Sequence, residues 1–220
     1  MTRQARFILI SVPLACIAMA FVETVLCPGY WAKALIRILL FGGAIAAYAL
    51  RFRNRELKSL FHGASLSSAL LLALGAFCVL LGGFALLRPF MDLTAIAAGL
   101  GAGQNITADN FPLVALYICA VNSLLEELFF RGFAFLILRR HLDQTAACLF
   151  SAAAFSLYHV SILSGWFPLW LFCLLLAGLF LCGLLFNWLD RRGSLWPSWL
   201  LHAAANAAIN TIGLWMFGIL

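Results

Sequence analysis

Seven long apolar runs, separated by short polar breaks, organise this chain. They cover residues 7–26, 31–50, 65–87, 111–138, 145–163, 169–189 and 196–220. A membrane-spanning helix needs about 20 apolar residues, so each run is long enough to cross a bilayer. The breaks carry turn and charge signals. Cys27-Pro28-Gly29-Tyr30 makes a tight turn after the first run, and Arg51, Arg53, Arg55 and Lys58 follow the second. Arg139-Arg140 ends the fourth, Gly165 and Pro168 break the chain before the sixth, and Asp190-Arg191-Arg192 ends the sixth. The stretch 88–110 is Gly-rich and weakly polar, with room for a short helix or a re-entrant piece. No internal repeat or domain boundary is visible. The pattern predicts an all-α fold: a polytopic transmembrane helix bundle of about seven spans, forming one integral membrane domain over 1–220.

Composition narrows the class. Of the residues, 65% are apolar and 10% charged, against about 45–50% and 25% in soluble domains. Mean hydropathy is +1.05. A soluble enzyme, a disordered chain and a small disulfide scaffold are excluded. The formal charge of +6 reads as topology. With the N-terminus in the cytoplasm, Arg3, Arg6, Arg51, Arg53, Arg55, Lys58, Arg139, Arg140, Arg191 and Arg192 all fall on the cytoplasmic side, as the positive-inside rule requires. Arg88 falls outside. Lys33 and Arg37 are expected near the outer end of the second span, snorkelling to the interface. No basic–aromatic segment points to nucleic acid. Six of the seven cysteines lie inside apolar runs and none forms a CxxC pair, so they read as packing residues. The basic start, followed by a long apolar run, reads as an uncleaved first span. Short loops and few lysines favour a bacterial inner (plasma) membrane.

The chemistry lies in residues that a bilayer disfavours. A charge at the centre of a span costs about 2.5–3.5 kcal/mol on insertion scales, and such residues are functional by default. The fourth run holds Glu126, Glu127 and Arg131, the fifth His159, and the seventh His202 and Asn206. A single Asn or Ser would read as interhelical glue; two adjacent carboxylates, an arginine and two histidines do not. Glu127 and Arg131 are four residues apart and can pair on one face. Glu126 is turned about 100° from Glu127 and is free to face another helix. Asn122, one turn before Glu126, either supports it or only packs. At about 1.5 Å rise per residue, Glu126, His159 and Asn206 all lie roughly 20–24 Å from the basic end of their spans. They therefore share one level, and His202 and Arg131 lie about a turn closer to the cytoplasm. A carboxylate beside a histidine can deprotonate water. A His and Asn one turn apart can donate hydrogen bonds to an oxyanion. Together they describe water-mediated hydrolysis of a carbonyl. GxSxG is absent and no serine is placed as nucleophile.

At these residues the sequence resembles a known family. Glu126-Glu127-Leu-Phe-Phe-Arg131 fits EExxxR, Phe155-Ser-Leu-Tyr-His159 fits FxxxH, and His202-Ala-Ala-Ala-Asn206, led in by Gly193-Ser194-Leu195-Trp196-Pro197, fits HxxxN. Three motifs in order resemble the CAAX protease and bacteriocin-processing family of glutamic intramembrane endopeptidases, which includes the type II CAAX prenyl endopeptidase. The resemblance covers about residues 110–215, with the core helices at 111–215. It implies a glutamic-type protease in which Glu126 activates water with His159 as partner, His202 and Asn206 form the oxyanion hole, and Glu127 and Arg131 support the site. Glu126, His159 and His202 would also make a two-His, one-carboxylate ligand set. No HExxH-like pair is present, so no cofactor or metal is expected. The expected partners are membrane lipid and a protein or peptide substrate, with no nucleic acid. The depth of the cluster, past the midplane on the outer side, suits exported substrates, including ones with a C-terminal membrane anchor or sorting tag. Two other readings compete. One is a non-catalytic immunity or scaffold protein that binds a peptide. The other is a proton-coupled transporter with Glu126 and His159 as relay, for which the expected repeat symmetry is missing.

Overall fold

The structure, a computed structural model, describes residues 1–53, 56–62 and 67–220, without the side chains of 56–58. Arg55, the Lys58 side chain and the Gly63-Ala64-Ser65 stretch lie outside the described residues. Helices and turns make up the rest, with no strand among the described residues. We number the helices α1 (Arg3–Leu26), α2 (Tyr30–Phe52), α3 (Ser67–Phe90), α4 (Leu93–Gln104), α5 (Phe111–Arg140), α6 (Gln144–Leu163), α7 (Leu169–Asp190) and α8 (Trp196–Met216). All except α4 and α8 are both long and apolar enough to cross a membrane. Helix α8 has 21 residues and none of them is Asp, Glu, Lys or Arg; His202, Asn206 and Asn210 make it less apolar. The architecture is the all-α polytopic bundle that the apolar runs predict, and α4 fills the stretch 88–110.

Local signals set the helix ends. Thr2 Oγ1 accepts from Ala5 N–H at 3.1 Å, Asp92 Oδ1 from Ala95 N–H at 2.9 Å and Asp143 Oδ2 from Ala146 N–H at 3.0 Å. Each satisfies one of the free donors of a first helical turn. Cys27 and Asn105 take left-handed backbone at φ 42° and 55° and end α1 and α4.

Helix α8 packs along α3, α7 along α6, and α6 against α5 and α1. The interior between α1, α2, α5 and α6 is aromatic. Phe41 stacks on Phe129 with centroids 4.0 Å apart, and Phe130, Phe133 and Phe155 fill in around them. Where α6 meets α7 the backbones touch: a Cβ on Gly183 would lie 2.9 Å from Ala152 Cα. Asn187 of α7 donates to the Cys148 carbonyl at 3.0 Å beside it. At one end of the bundle, Leu195 N–H donates to the Leu60 carbonyl at 2.9 Å and Trp196 Nε1 to the Phe61 carbonyl at 3.0 Å. Arg139 donates to the Arg191 carbonyl there at 2.9 Å. Segments that the charge pattern assigns to one side thus meet at one end.

Lys33 and Arg37 depart from the expectation of snorkelling. Both are buried, at 4% and 7% exposure. The cause is Glu23, the one acidic residue of α1, which faces them: Lys33 Nζ lies 2.6 Å and Arg37 Nη2 3.4 Å from its carboxylate oxygens. A buried charge persists where it is paired, and here the pairing holds the basic face of α2 inward.

Candidate active site

Helix α5 carries the acidic pair, and it is not a uniform α-helix. Ile118–Asn122 and Glu127–Ile137 are π-helical, with i→i+5 hydrogen bonding; such wide turns concentrate at functional sites. Glu126 closes the short α-helical turn between them. It is 3% exposed and accepts from Asn122 Nδ2 at 2.8 Å. Of the two expectations for Asn122, support of Glu126 is the one found.

His202 of α8 connects the two carboxylates. Its Nδ1 donates to Glu127 Oε1 at 2.7 Å, and its Nε2 lies 3.8 Å from Glu126 Oε2. Glu127 is fully buried. Its other oxygen, Oε2, lies 3.2 Å from Arg131 Nε, the i,i+4 partner expected from spacing. That contact is an ion pair off the hydrogen-bond direction, and none of the three Arg131 nitrogens has a hydrogen-bond partner among the described residues. The guanidinium instead lies between two rings, its carbon 4.0 Å from the Phe155 centroid and 4.7 Å from that of Phe186. A planar, weakly hydrated cation suits such faces.

His159 sits where the α-helical ladder of α6 is interrupted. Its Nδ1 donates to the Phe155 carbonyl at 2.7 Å, which leaves Nε2 as the basic nitrogen. The Phe155 ring meets the rings of both His159 and His202, at 4.7 Å and 5.9 Å. The phenylalanine of FxxxH is therefore the shared floor under both histidines and Arg131. Asn206 is partly exposed and donates to the Ile118 carbonyl at 3.3 Å. An amide has two N–H groups, so one remains for another acceptor. Trp199 Nε1 to the Ala120 carbonyl and Asn210 Nδ2 to the Ala115 carbonyl, both at 3.2 Å, join Asn206 in lacing α8 to α5 at and just before its first widened turn.

The structure thus brings Glu126, Glu127, Arg131 and His202 into one buried network, with His159 and Asn206 at its sides. Sequence reasoning missed several members. Asp190, read as the end of a span, is fully buried and accepts from Ser198 N–H at 3.2 Å and from the Ser198 hydroxyl at 2.5 Å. Arg37 reaches Asn122 Oδ1 through Nη1 and so extends the network to Glu23 and Lys33. The signal for that extension was present: Lys33 and Arg37 are four residues apart, and one acid stands across a tight turn from them. Among the described residues no three His, Cys, Asp or Glu groups converge on one point. A hollow lined by Ser164, Gly165, Phe167, Leu169 and Phe172 contains no member of the network.

Residues 108–208 match the family model described as Type II CAAX prenyl endopeptidase Rce1-like. No curated protein and no solved structure matches the chain. The matched segment holds Asn122, Glu126, Glu127, Arg131, His159, His202 and Asn206, and leaves out Glu23, Lys33 and Arg37. Over residues 108–208 the chain is therefore similar to the type II CAAX prenyl endopeptidase Rce1-like family.

Proposed function

We propose that this chain is a glutamic-type intramembrane endopeptidase that cuts a membrane-associated or exported protein. The observation that carries the reading is the continuous buried link Asn122–Glu126···His202–Glu127–Arg131 inside the matched segment. In this mechanism Glu126 takes a proton from a water as its oxygen bonds the scissile carbonyl carbon. Proton transfer by a positioned carboxylate supplies typically about 10²–10⁴-fold in rate. His159 Nε2 shares that water as a second acceptor. The oxyanion that forms accepts from the second Asn206 N–H and from His202 Nε2. Because His202 Nδ1–H is given to Glu127, Nε2 donates when the ring is an imidazolium. Glu126 then passes its proton to the leaving amine as the C–N bond breaks. Glu127 and Arg131 hold His202 in register. Substrates with a C-terminal membrane anchor fit a site buried among spanning helices.

The test compares new protein termini in cells expressing wild type and Glu126→Gln at equal levels. A terminus made by the wild type and lost with E126Q is expected, and it names the substrate and its cut together. Identical termini, with both proteins folded and abundant, would reject the reading in favour of a non-catalytic binder.

A further inference from the structure

Arg37 lies on α2, about seventy residues before the matched segment begins, yet it is a hydrogen bond away from the partner of Glu126. Its Nη1 donates to Asn122 Oδ1, and Asn122 Nδ2 donates to Glu126 Oε1 at 2.8 Å. We infer that Arg37 is a positioning residue for the reaction, fixing the Glu126 carboxylate through Asn122. The inference rests on Glu126 being the base.

Amide chemistry gives the link a direction. An asparagine has an acceptor at one corner and donors at the other. With Oδ1 against the Arg37 guanidinium, the NH₂ group must face Glu126. The flipped amide would put donors against the guanidinium and its oxygen against the carboxylate, two repulsive contacts at once. Arg37 therefore sets which way Asn122 points, and Asn122 sets one oxygen of Glu126.

Charge supports the same assignment. Glu23 is shared between Lys33 at 2.6 Å and Arg37 at 3.4 Å, so one carboxylate faces two buried cations. The nearer pairing neutralises Lys33. The charge of Arg37 is then balanced by the next anion along the network, which is Glu126. Packing alone does not explain an arginine here. Its Nε has no hydrogen-bond partner among the described residues, so the side chain is held for what Nη1 and Nη2 reach. The guanidinium also lies 5.9 Å from the ring centroid of Tyr158, the neighbour of His159, so it borders the site on both α5 and α6.

The experiment uses the full chain in cells and reads the ratio of the Glu126-dependent terminus to its precursor at equal protein level. Variants are Arg37→Gln, Arg37→Lys, Asn122→Ala, the double Arg37→Gln/Asn122→Ala, and Glu126→Gln. Each is first checked for a single species on size exclusion in detergent. Should R37Q fail that check, the cycle is run with R37K and N122A. Positioning through Asn122 predicts a fall of about 10- to 100-fold for R37Q and for N122A, the range set by small misplacements of a reacting group. It also predicts partial recovery in R37K and a double variant no worse than the weaker single. A wild-type ratio in R37Q, or a double variant that falls by the product of the two singles, overturns the inference while loss of activity in E126Q leaves the base intact. Full activity in E126Q would remove the base itself, and the positioning role with it.

Discussion

Arg131 satisfies its charge largely without hydrogen bonds. It is wholly buried, pairs with one oxygen of Glu127 and spreads its charge over the faces of Phe155 and Phe186. Removing one partner of a buried pair costs about 3–5 kcal/mol, so Arg131→Met is expected to lower the thermal unfolding midpoint in detergent sharply. Arg131→Lys keeps a point charge but loses the planar stack, and falls between that variant and wild type. An R131M midpoint equal to wild type would mean that the rings, not the charge, hold Glu127. At this scale the sequence was legible where a charge stood in the middle of an apolar run. Glu126, Glu127, Arg131 and the two histidines stand out for that reason. Glu23, Lys33, Arg37 and Asp190 did not, because charges near span ends are ordinary and burial has no mark in one dimension. The bridging of both glutamates by His202 was also hidden, since it depends on how α8 crosses α5.

Among the elements, the closest approach of main chains is between α6 and α7. Gly183 has Ala152 backbone within 2.9 Å of where a Cβ would be, while Gly178, earlier on the same helix, has nothing within 4 Å. Gly183→Ala is expected to cost about 1–3 kcal/mol, the usual penalty of overpacking, because backbone cannot swing aside. Gly178→Ala should leave the unfolding midpoint unchanged or slightly higher, as alanine is the better helix former. Equal midpoints for the two variants would mean that the helices slide apart at little cost. The helix bounds were readable to within a few residues, because Pro, Gly and charge pairs mark the breaks. The π turns of α5 were not. An i→i+5 pattern leaves no hydrophobic period to read, and the side chains that bond its carbonyls come from other helices: Trp199 and Asn206 of α8 at Ala120 and Ile118, and Ser151 of α6 at Phe130.

The whole molecule raises the question of which face of the membrane the site serves. The network runs from Glu23 and Lys33, beside the turn between α1 and α2, down to Glu126. The basic segments gather at the other end of the charge pattern, around Arg139 and Arg191. With the basic end cytoplasmic, a cysteine placed at Val160, next to His159, should react with a membrane-impermeant reagent from the outer face of sealed vesicles, in a chain whose seven native cysteines have been replaced. Labelling only from the cytoplasmic face would reverse the assignment.

The lacing of α8 onto α5 has a consequence for how the protein is made. Helix α8 is synthesised after α1–α7, and its His202 ring touches both Glu126 and Glu127. Until Trp196–Met216 leaves the insertion machinery, a nascent chain holds two adjacent acids in lipid with that ring still missing. Such an intermediate is a poor resident of the bilayer and a natural client for membrane chaperones or quality-control proteases. A ribosome stalled before residue 196 should therefore yield a short-lived product.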